Sequence, residues 1–396
     1  MTTYAFLDLE TTGLDPRTDS VIEIAIVVLE NGTLIEEYQS FVRPHVPIPP
    51  EVTDITGITE DMVADAPTLF ALRTQIRRLL GDHVVVGHNV GFDLGFLQQE
   101  SLGTSNTAVD TVTLASILLP RAGRYGLEYL AEYLMLTIDD SGQAHRALAD
   151  VLLTAELFLE LSHRASQLDV GILSEIIEAG SRVGWEEAIF FEDALKVAVK
   201  NSLTASKRPR RANQLKELYS PAPLEGQQLT PKEQPEAIPT DLVLGMFAPD
   251  GNFAQVFEGF EMRQQQVEMV AAVCDAFNQQ QHLLIEAGTG TGKSIGYLLP
   301  AAFWASQNGR RVVVSTNTIN LQDQLVDKDI PALQKVLPFE LRATVRKGRR
   351  NYLCTRLFQQ WRHRGVNGPD EMALYARLLV WLPTTTTADK AEISLR

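Results

Sequence analysis

Apolar residues near the start of the chain form short continuous runs, and polar residues appear abruptly at the ends of those runs. Residues 4–7 predict a buried strand, and residues 21–29 and 33–42 predict two more. The last two runs are separated by Asn31-Gly32, a strong signal for a two-residue hairpin turn. The pattern therefore predicts a β-rich beginning.

Farther along, the apolar spacing alternates between the helical period and another strand. Residues 68–80, 127–136 and 147–161 have helical spacing, and the three valines at 84–86 predict a short buried strand. Residues 1–165 are therefore predicted to form one mixed α/β domain.

The middle of the chain changes character twice. Residues 166–200 remain helix-like, and residues 201–242 are polar and rich in proline, as linkers are. Regular patterning resumes near Phe253, with strands predicted at 282–286 and 312–315 and a helix between them. We therefore predict domains over 1–165 and 246–396, joined by a helical and then proline-rich linker over 166–245.

Composition narrows the class of protein. A hydrophobic fraction of 45% and a charged fraction of 21% are ordinary for a globular domain in water. No apolar run is long enough to span a bilayer, and no signal peptide is evident, so no membrane partner is expected. The two cysteines cannot form a disulfide framework, which favours a reducing, cytoplasmic location.

Charge is concentrated in the first domain. Residues 1–165 contain 24 acidic residues, nine arginines and no lysine, whereas the remainder of the chain is neutral. The whole net charge of −15 therefore belongs to this domain, which repels nucleic acid at long range. If the domain acts on DNA, it requires bound cations or help from the rest of the chain.

Two carboxylates end the first predicted strand. Asp8 and Glu10 are two residues apart, so they share one face of the strand and repel each other. Either they bind a divalent metal ion, or they are solvated acids at a strand terminus. The pair alone favours the second interpretation.

Three further residues favour the metal interpretation. Asp93 follows the valine strand, Asp150 lies in the first turns of the last predicted helix, and His145 lies near the start of that helix. Four carboxylates suit two Mg²⁺ or Mn²⁺ ions in phosphodiester hydrolysis. His145, whose pKa should be near neutral, is the candidate general base.

These blocks resemble the three motifs of the DEDDh 3′–5′ exonucleases, which have an RNase H-like fold. The matching segments are Asp8-Leu9-Glu10-Thr11-Thr12-Gly13, Gly87-His88-Asn89 with Phe92-Asp93, and His145 with Asp150. The resemblance covers about residues 1–165. It implies that the substrate is contacted by Thr11, Thr12, Gly13, His88, Asn89 and Phe92.

A second motif follows the strand predicted at 282–286. A glycine-rich loop that ends in Gly-Lys-Ser and precedes a helix is typical of a phosphate-binding P-loop. Lys293 is expected to reach the terminal phosphates of ATP, and the Ser294 hydroxyl is expected to hold Mg²⁺. The predicted loop residues are Ala287, Gly288, Thr289, Gly290, Thr291, Gly292, Lys293 and Ser294.

Residues 245–396 resemble the first motor domain of the DinG-type superfamily 2 helicases, which implies a partial RecA-like P-loop domain. The resemblance implies that Arg263 and Gln266 read adenine. It also implies contacts with DNA by Thr316, Gln324, Arg346, Lys347, Arg349 and Arg350. Cys354 matches a cluster ligand of iron–sulfur members, but a Cys₄ cluster needs three more cysteines than this segment offers.

The motor motifs are incomplete in this sequence. No Asp-Glu-x-His box follows Ser294. We therefore expect a fragment of an exonuclease–helicase fusion, in which the P-loop binds ATP but the chain does not unwind strands.

The leading hypothesis is a metal-dependent 3′–5′ exonuclease that acts on single-stranded 3′ ends of DNA and releases nucleoside 5′-monophosphates. One alternative is an ATP-dependent DNA helicase in a full-length form, and another is a non-catalytic module that binds nucleic acid. The sequence leaves RNA open as a substrate and identifies no protein partner.

Overall fold

The computed structural model describes residues 2–136, 146–204, 219, 229–288 and 291–393. The chain divides into two compact units. The first comprises Met1–Ala222 together with Arg349–Arg396, and the second comprises Pro223–Gly348. No described helix is both long enough and apolar enough to cross a membrane.

The first unit is built on a five-stranded mixed sheet with the order β3-β2-β1-β4-β5. β1 pairs antiparallel with β2, which pairs antiparallel with β3, whereas β4 is parallel to both β1 and β5. The predicted mixed α/β fold of this part is confirmed. The strands are β1 Thr3–Thr11, β2 Val21–Glu30, β3 Thr33–Phe41, β4 Val84–Gly87 and β5 Ala108–Asp110.

The turn between β2 and β3 confirms the predicted hairpin. Asn31 and Gly32 both have positive φ angles, 55° and 77°. A two-residue turn with this handedness matches the twist of the two strands, and Asn-Gly adopts it at low cost. The turn therefore fixes the register that aligns β2 with β3.

Helices cover both faces of the sheet. Tyr4 and Phe6 of β1 belong to one apolar core, whereas Ala5 and Leu7 belong to the other. The strand is continuously apolar because successive residues point to opposite, equally buried faces. The helices are α1 Pro50–Thr56, α2 Glu60–Val63, α3 Leu69–Leu80, α4 Val90–Gln99, α5 Thr111–Leu118, α6 Leu127–Leu134, α7 Ala147–Ser166, α8 Val170–Arg182 and α9 Ala188–Thr204.

Helices α8 and α9 extend the core beyond residue 165. Phe190 of α9 meets Phe158 of α7 edge-on, with ring centroids 5.2 Å apart. The Tyr4 hydroxyl of β1 donates to Asp193 Oδ2 of α9 at 2.9 Å. The helical prediction for residues 166–200 is confirmed, and these helices share the core of the sheet.

The second unit is helical in its described part. Its helices are α10 Thr240–Gly245, α11 Asn252–Val256, α12 Gln264–Gln279, α13 Lys293–Asn308, α14 Ile319–Gln324 and α15 Ile330–Val336. A π-helical turn over Leu325–Asp329 joins the last two. Phe247, Phe253 and Leu299 lie in its apolar core.

The strands predicted at 282–286 and 312–315 are wrong. Neither segment is a strand, and Leu284 and Val313 are 98% and 88% exposed. A parallel strand is stable only beside neighbours that satisfy its backbone and cover its faces. No such neighbours lie beside these segments within the described ranges.

Residues after 348 return to the first unit. Helices α16 Thr355–Arg364 and α17 Pro369–Trp381 contribute Phe358 and Trp381 to the core that also contains Tyr4. The chain thus divides differently from the predicted domains over 1–165 and 246–396. The reason is that the apolar faces of α16 and α17 are buried among the helices of the first unit.

Candidate metal centre and nucleotide loop

Three carboxylates meet at the end of β1. Asp8 and Glu10 are supplied by the strand, and Asp150 is supplied by the first turn of α7. One oxygen from each side chain lies within 4.8 Å of the others. Because residues 8 and 10 face the same side as Phe6, whose core contains α7, strand parity brings both toward Asp150.

The carboxylates perturb one another. Burial raises the pKa of Asp8 well above its usual range, and the charges of Asp93 and Asp150 add to the effect. Burial and Asp150 raise the pKa of Glu10 to about 8, although Arg146 opposes this. A cation held between the side chains would relieve the repulsion, so the oxygen donors fit a hard divalent metal ion.

Asp93 lies beside this group of three rather than in it. It occupies the first turn of α4 and is 4% exposed, and its Oδ1 accepts a hydrogen bond from the Leu9 N–H at 3.0 Å. Burial raises the pKa of Asp93, and the charge of Glu10 adds to this. The structure therefore clusters three of the four predicted ligands and places the fourth against the backbone between Asp8 and Glu10.

Sequence reasoning missed a buried ion pair next to the carboxylates. Glu23 of β2 is opposite Glu10 in the register of the sheet and is fully buried. Its carboxylate accepts from Arg146 Nε at 3.1 Å and Nη2 at 2.8 Å, and from the Ala147 N–H at 3.2 Å. Glu23 thereby fixes the start of α7, which supplies Asp150.

One signal for this pair was present in the sequence. Glu23 interrupts residues 21–29, an otherwise apolar run. A charge in a buried strand needs a partner. The local pattern does not identify that partner, because it lies more than 100 positions away. His145, the predicted base, lies outside the described residues.

The predicted substrate residues after Glu10 form a compact turn. The Thr11 hydroxyl donates to the Gly13 carbonyl at 2.7 Å. The Thr12 N–H donates to the Ser20 carbonyl at 2.8 Å, and the Ser20 N–H donates to Thr12 Oγ1 at 2.9 Å. A Cβ atom at Gly13 would lie only 2.5 Å from the Asp19 carboxylate, so a side chain there would require the Asp19 side chain or the turn to move.

The second set of predicted substrate residues surrounds the end of β4. His88 Nδ1 is 3.0 Å from the Thr111 hydroxyl, and burial lowers the pKa of His88. Asn89 has a φ of 71° and precedes α4, where the Phe92 ring packs edge-on against Phe96. These contacts orient the segment next to Asp93.

The predicted P-loop leads into α13 as expected. Gly292 has a φ of 75°, and the helix begins at Lys293, with Ser294 in its first turn. Gln266 Nε2 donates to the Gly292 carbonyl at 3.0 Å, so the structure brings this residue to the loop. Arg263 is the residue that precedes α12.

Other loop residues make internal contacts. Lys293 Nζ donates to the Ala287 carbonyl at 2.9 Å, and the Thr291 hydroxyl donates to the Gly288 carbonyl at 3.0 Å. Thr289 and Gly290 lie outside the described residues.

The predicted DNA contacts are divided between the two units. Thr316, Gln324, Arg346 and Lys347 belong to the second unit, and Arg349 and Arg350 belong to the first. Lys347 Nζ lies 3.6 Å from an Asp323 carboxylate oxygen, and Gln324 donates to Asp329 at 3.2 Å.

Comparison with protein families agrees with the two motif sets. Residues 5–158 match the family described as Exonuclease. Residues 259–351 match the family described as Type III restriction enzyme, res subunit. The predicted combination of an exonuclease domain and a helicase-like segment is confirmed.

Curated relatives cover the whole chain. The 3′-5′ exonuclease DinG of Bacillus subtilis is 32% identical over 413 residues, which include 99% of this chain and 42% of the relative. The protein of the same name from Staphylococcus aureus is 29% identical over 403 residues, with 100% and 43% covered. The chain spans less than half the length of these relatives.

Solved structures of exonucleases overlap with part of the chain. Exonuclease X in complex with 5′ overhanging duplex DNA is 30% identical, with a TM-score of 0.36, and the overlap covers 42% of this chain and 94% of that one. E. coli Exonuclease I in complex with a dT13 oligonucleotide is 20% identical, with a TM-score of 0.38, and covers 46% and 44%. Scores of this size are too low for a comparison of sites.

Proposed function

We propose that this chain, whose residues 5–158 form a domain of the exonuclease family, is a metal-dependent 3′–5′ exonuclease that acts on DNA and releases nucleoside 5′-monophosphates. The observation that carries the proposal is the cluster of Asp8, Glu10 and Asp150, with one oxygen from each within 4.8 Å. The direction of degradation follows the name of the relatives, 3′-5′ exonuclease DinG.

The carboxylates would hold Mg²⁺ or Mn²⁺. Asp8, Glu10 and Asp150 supply the clustered oxygens, and Asp93 lies next to them. Two bound divalent cations, when present, supply positive charge to the attacking and leaving oxygens of the phosphodiester. Burial raises the pKa values of Asp8 and Glu10, and so does the mutual repulsion that such charge would remove.

The protein's own groups perform the remaining tasks. The His145 imidazole, assigned from its motif, takes a proton from the attacking water. The turn of Thr11, Thr12 and Gly13 borders the carboxylates, and internal hydrogen bonds fix its shape. A turn of fixed shape positions the terminal nucleotide at the carboxylates. His88, Asn89 and Phe92 do the same from the side of α4.

A separate observation supports a nucleotide site in the second unit. The loop that ends at Gly292 is held by Gln266 and leads directly into α13, so backbone N–H groups at the helix start are available to phosphate. ATP with Mg²⁺ is the proposed ligand, with Lys293 and Ser294 at the phosphates. A cytoplasmic location agrees with both proposals, since the two cysteines are free.

The test uses single strands of DNA labelled at either end. With Mg²⁺, a 3′ label should appear at once as a mononucleotide, whereas a 5′-labelled strand should shorten progressively, and EDTA should stop both reactions. Early release of the 5′ label would contradict the direction. Binding without shortening would favour a non-catalytic module, and parallel RNA strands would define the sugar preference.

A further inference from the structure

The downstream segment of the first unit is firmly attached to its helices. Met372, Leu379 and Trp381 of α17 are fully buried in the core that also contains Ile172 and Leu173 of α8. The removal of these three large apolar side chains from water favours the packing of α17 in this core. Residues 349–393 therefore form part of the body that carries the carboxylate cluster.

A buried charged cluster adds specificity to this attachment. Arg362 of α16 donates to both oxygens of Glu175 in α8, at 2.6 and 2.5 Å. The Tyr375 hydroxyl of α17 donates to the same carboxylate at 2.5 Å. The side chains of Arg362 and Glu175 are only 10% and 8% exposed, so solvent and salt screen this ion pair weakly.

The outer surface of this segment has the opposite charge to the rest of the unit. Residues 349–369 contain five arginines and no acidic residue, whereas residues 1–165 have a net charge of −15. Arg349, Arg350 and Arg356 are exposed and make no ion pair in the parts of the chain that the structure describes. Arg364 is also exposed but pairs with Glu371 at 2.7 Å.

We propose that residues 349–369 are the strand-binding surface of the nuclease unit, held in place by the cluster of Glu175, Arg362 and Tyr375. The occupant is the phosphodiester backbone of single-stranded DNA. The proposal rests on the proposed exonuclease function, because a nuclease whose catalytic domain repels a polyanion needs cationic groups on the same body. Exposed guanidinium groups bind phosphates and release counterions, and the ring of Tyr352, within this segment, offers a face on which a base can stack.

A triple variant tests the surface directly. The variant combines Arg349→Gln, Arg350→Gln and Arg356→Gln. Its strand affinity should fall less steeply with salt than that of wild type, because each lost phosphate contact removes about 0.7 from the slope of log K against log salt. A control variant neutralises Arg73, Arg77 and Arg182, which are also exposed in the first unit. Equal slopes for the two variants would overturn the proposal.

A small substrate separates this proposal from the proposed function. The p-nitrophenyl ester of thymidine 5′-monophosphate has one phosphodiester and needs no extended surface, so its kcat/KM should be the same in the triple variant and in wild type. A parallel loss on both substrates would overturn the strand-binding role. If wild type hydrolysed neither substrate, the exonuclease function would fail instead, while strand affinity would still report on the surface.

Charge exchange tests the attachment. Glu175→Lys should reduce strand affinity as the triple variant does, and Glu175→Lys with Arg362→Glu should restore it, with circular dichroism as the check of folding. Full strand affinity in a folded Glu175→Lys variant would overturn the attachment. If Glu175→Lys does not fold, the charge-exchanged variant decides: recovery of folding and affinity supports the attachment, and recovery of folding without affinity overturns it.

Discussion

Glu23 and Arg146 form a two-bond ion pair that joins β2 to the start of α7, next to the carboxylate cluster. The two hydrogen bonds measure 3.1 and 2.8 Å, and the Glu23 carboxylate also accepts from the Ala147 N–H. Glu10 lies directly across from Glu23 in the sheet. The pair therefore fixes the distance between the strand that carries Asp8 and Glu10 and the helix that carries Asp150.

Loss of Glu23 should destabilise the first unit. Glu23→Ala leaves the Arg146 guanidinium and the Ala147 N–H without their acceptor, at a cost of about 2–3 kcal/mol in the free energy of unfolding. Urea unfolding measures this cost. Glu37→Ala, at an exposed position of β3, is the control and should have little effect. Equal unfolding free energies for the two variants would show that the pair does not stabilise the start of α7.

Stability without metal should fall as pH rises. The pKa of Glu10 is about 8 in the folded state, against an ordinary value of 4.5, and that of Asp8 is also raised. The folded state thus holds protons that the unfolded state has released, so the free energy of unfolding decreases from about pH 5 to pH 8, by about 1.4 kcal/mol per pH unit for each such proton.

Urea unfolding in EDTA across this pH range provides the measurement. Mg²⁺ should remove most of the decrease, because it binds the ionised carboxylates, which burial and mutual repulsion otherwise disfavour. A stability that is flat with pH in EDTA, or that rises, would contradict the electrostatic description of the cluster.

The turn after Glu10 should not tolerate a side chain at Gly13. In Gly13→Ala, the new Cβ would lie 2.5 Å from the Asp19 carboxylate, which also accepts from the Asp15 N–H at 2.8 Å. Displacement of the turn should lower kcat/KM on DNA by up to about 100-fold, the cost of a misplacement of roughly 1 Å. Adding Asp19→Ala removes the obstacle, so the double variant should recover activity. Failure to recover would mean that Asp19 is not the cause.

The nucleotide loop should act independently of the carboxylate cluster. Lys293→Ala should weaken binding of a fluorescent ATP analogue by at least about tenfold, because a charge-assisted contact with phosphate is lost. Lys328→Ala, at an exposed position of the same unit, is the control. Release of nucleotides from DNA should be the same in both variants. Unchanged ATP affinity in Lys293→Ala would refute the assignment of the loop.

Local sequence signals predicted the parts of the structure that local interactions determine. Asn31-Gly32 specified its own turn, and Thr68, whose side chain accepts from the Ala71 N–H, marked the start of α3. Asp8, Glu10 and Asp150 could be grouped because the order of three motifs implied one site, and the structure brings them together.

Long-range pairings were not predictable in the same way. The acid at Glu23 was visible in the sequence, but its partner Arg146 is 123 residues away. The position of α17 depends on how its apolar face packs against the other helices of the first unit. The apolar pattern of α17 itself specifies only a buried helix. The apolar runs at 282–286 and 312–315 predicted strands, but a strand exists only when a neighbour completes it.

The Asp8→Asn variant tests the metal-centre assignment most directly. The measurement is the rate at which it releases mononucleotides from 3′-labelled single-stranded DNA in Mg²⁺, with urea unfolding in EDTA as the check of folding. Asp8→Asn removes a charged metal ligand and also relieves repulsion from Asp93 and Asp150. We expect release to fall by orders of magnitude while stability in EDTA is equal to or greater than that of wild type. Release at the wild-type rate would contradict the assignment of the carboxylate cluster as the metal centre of an exonuclease.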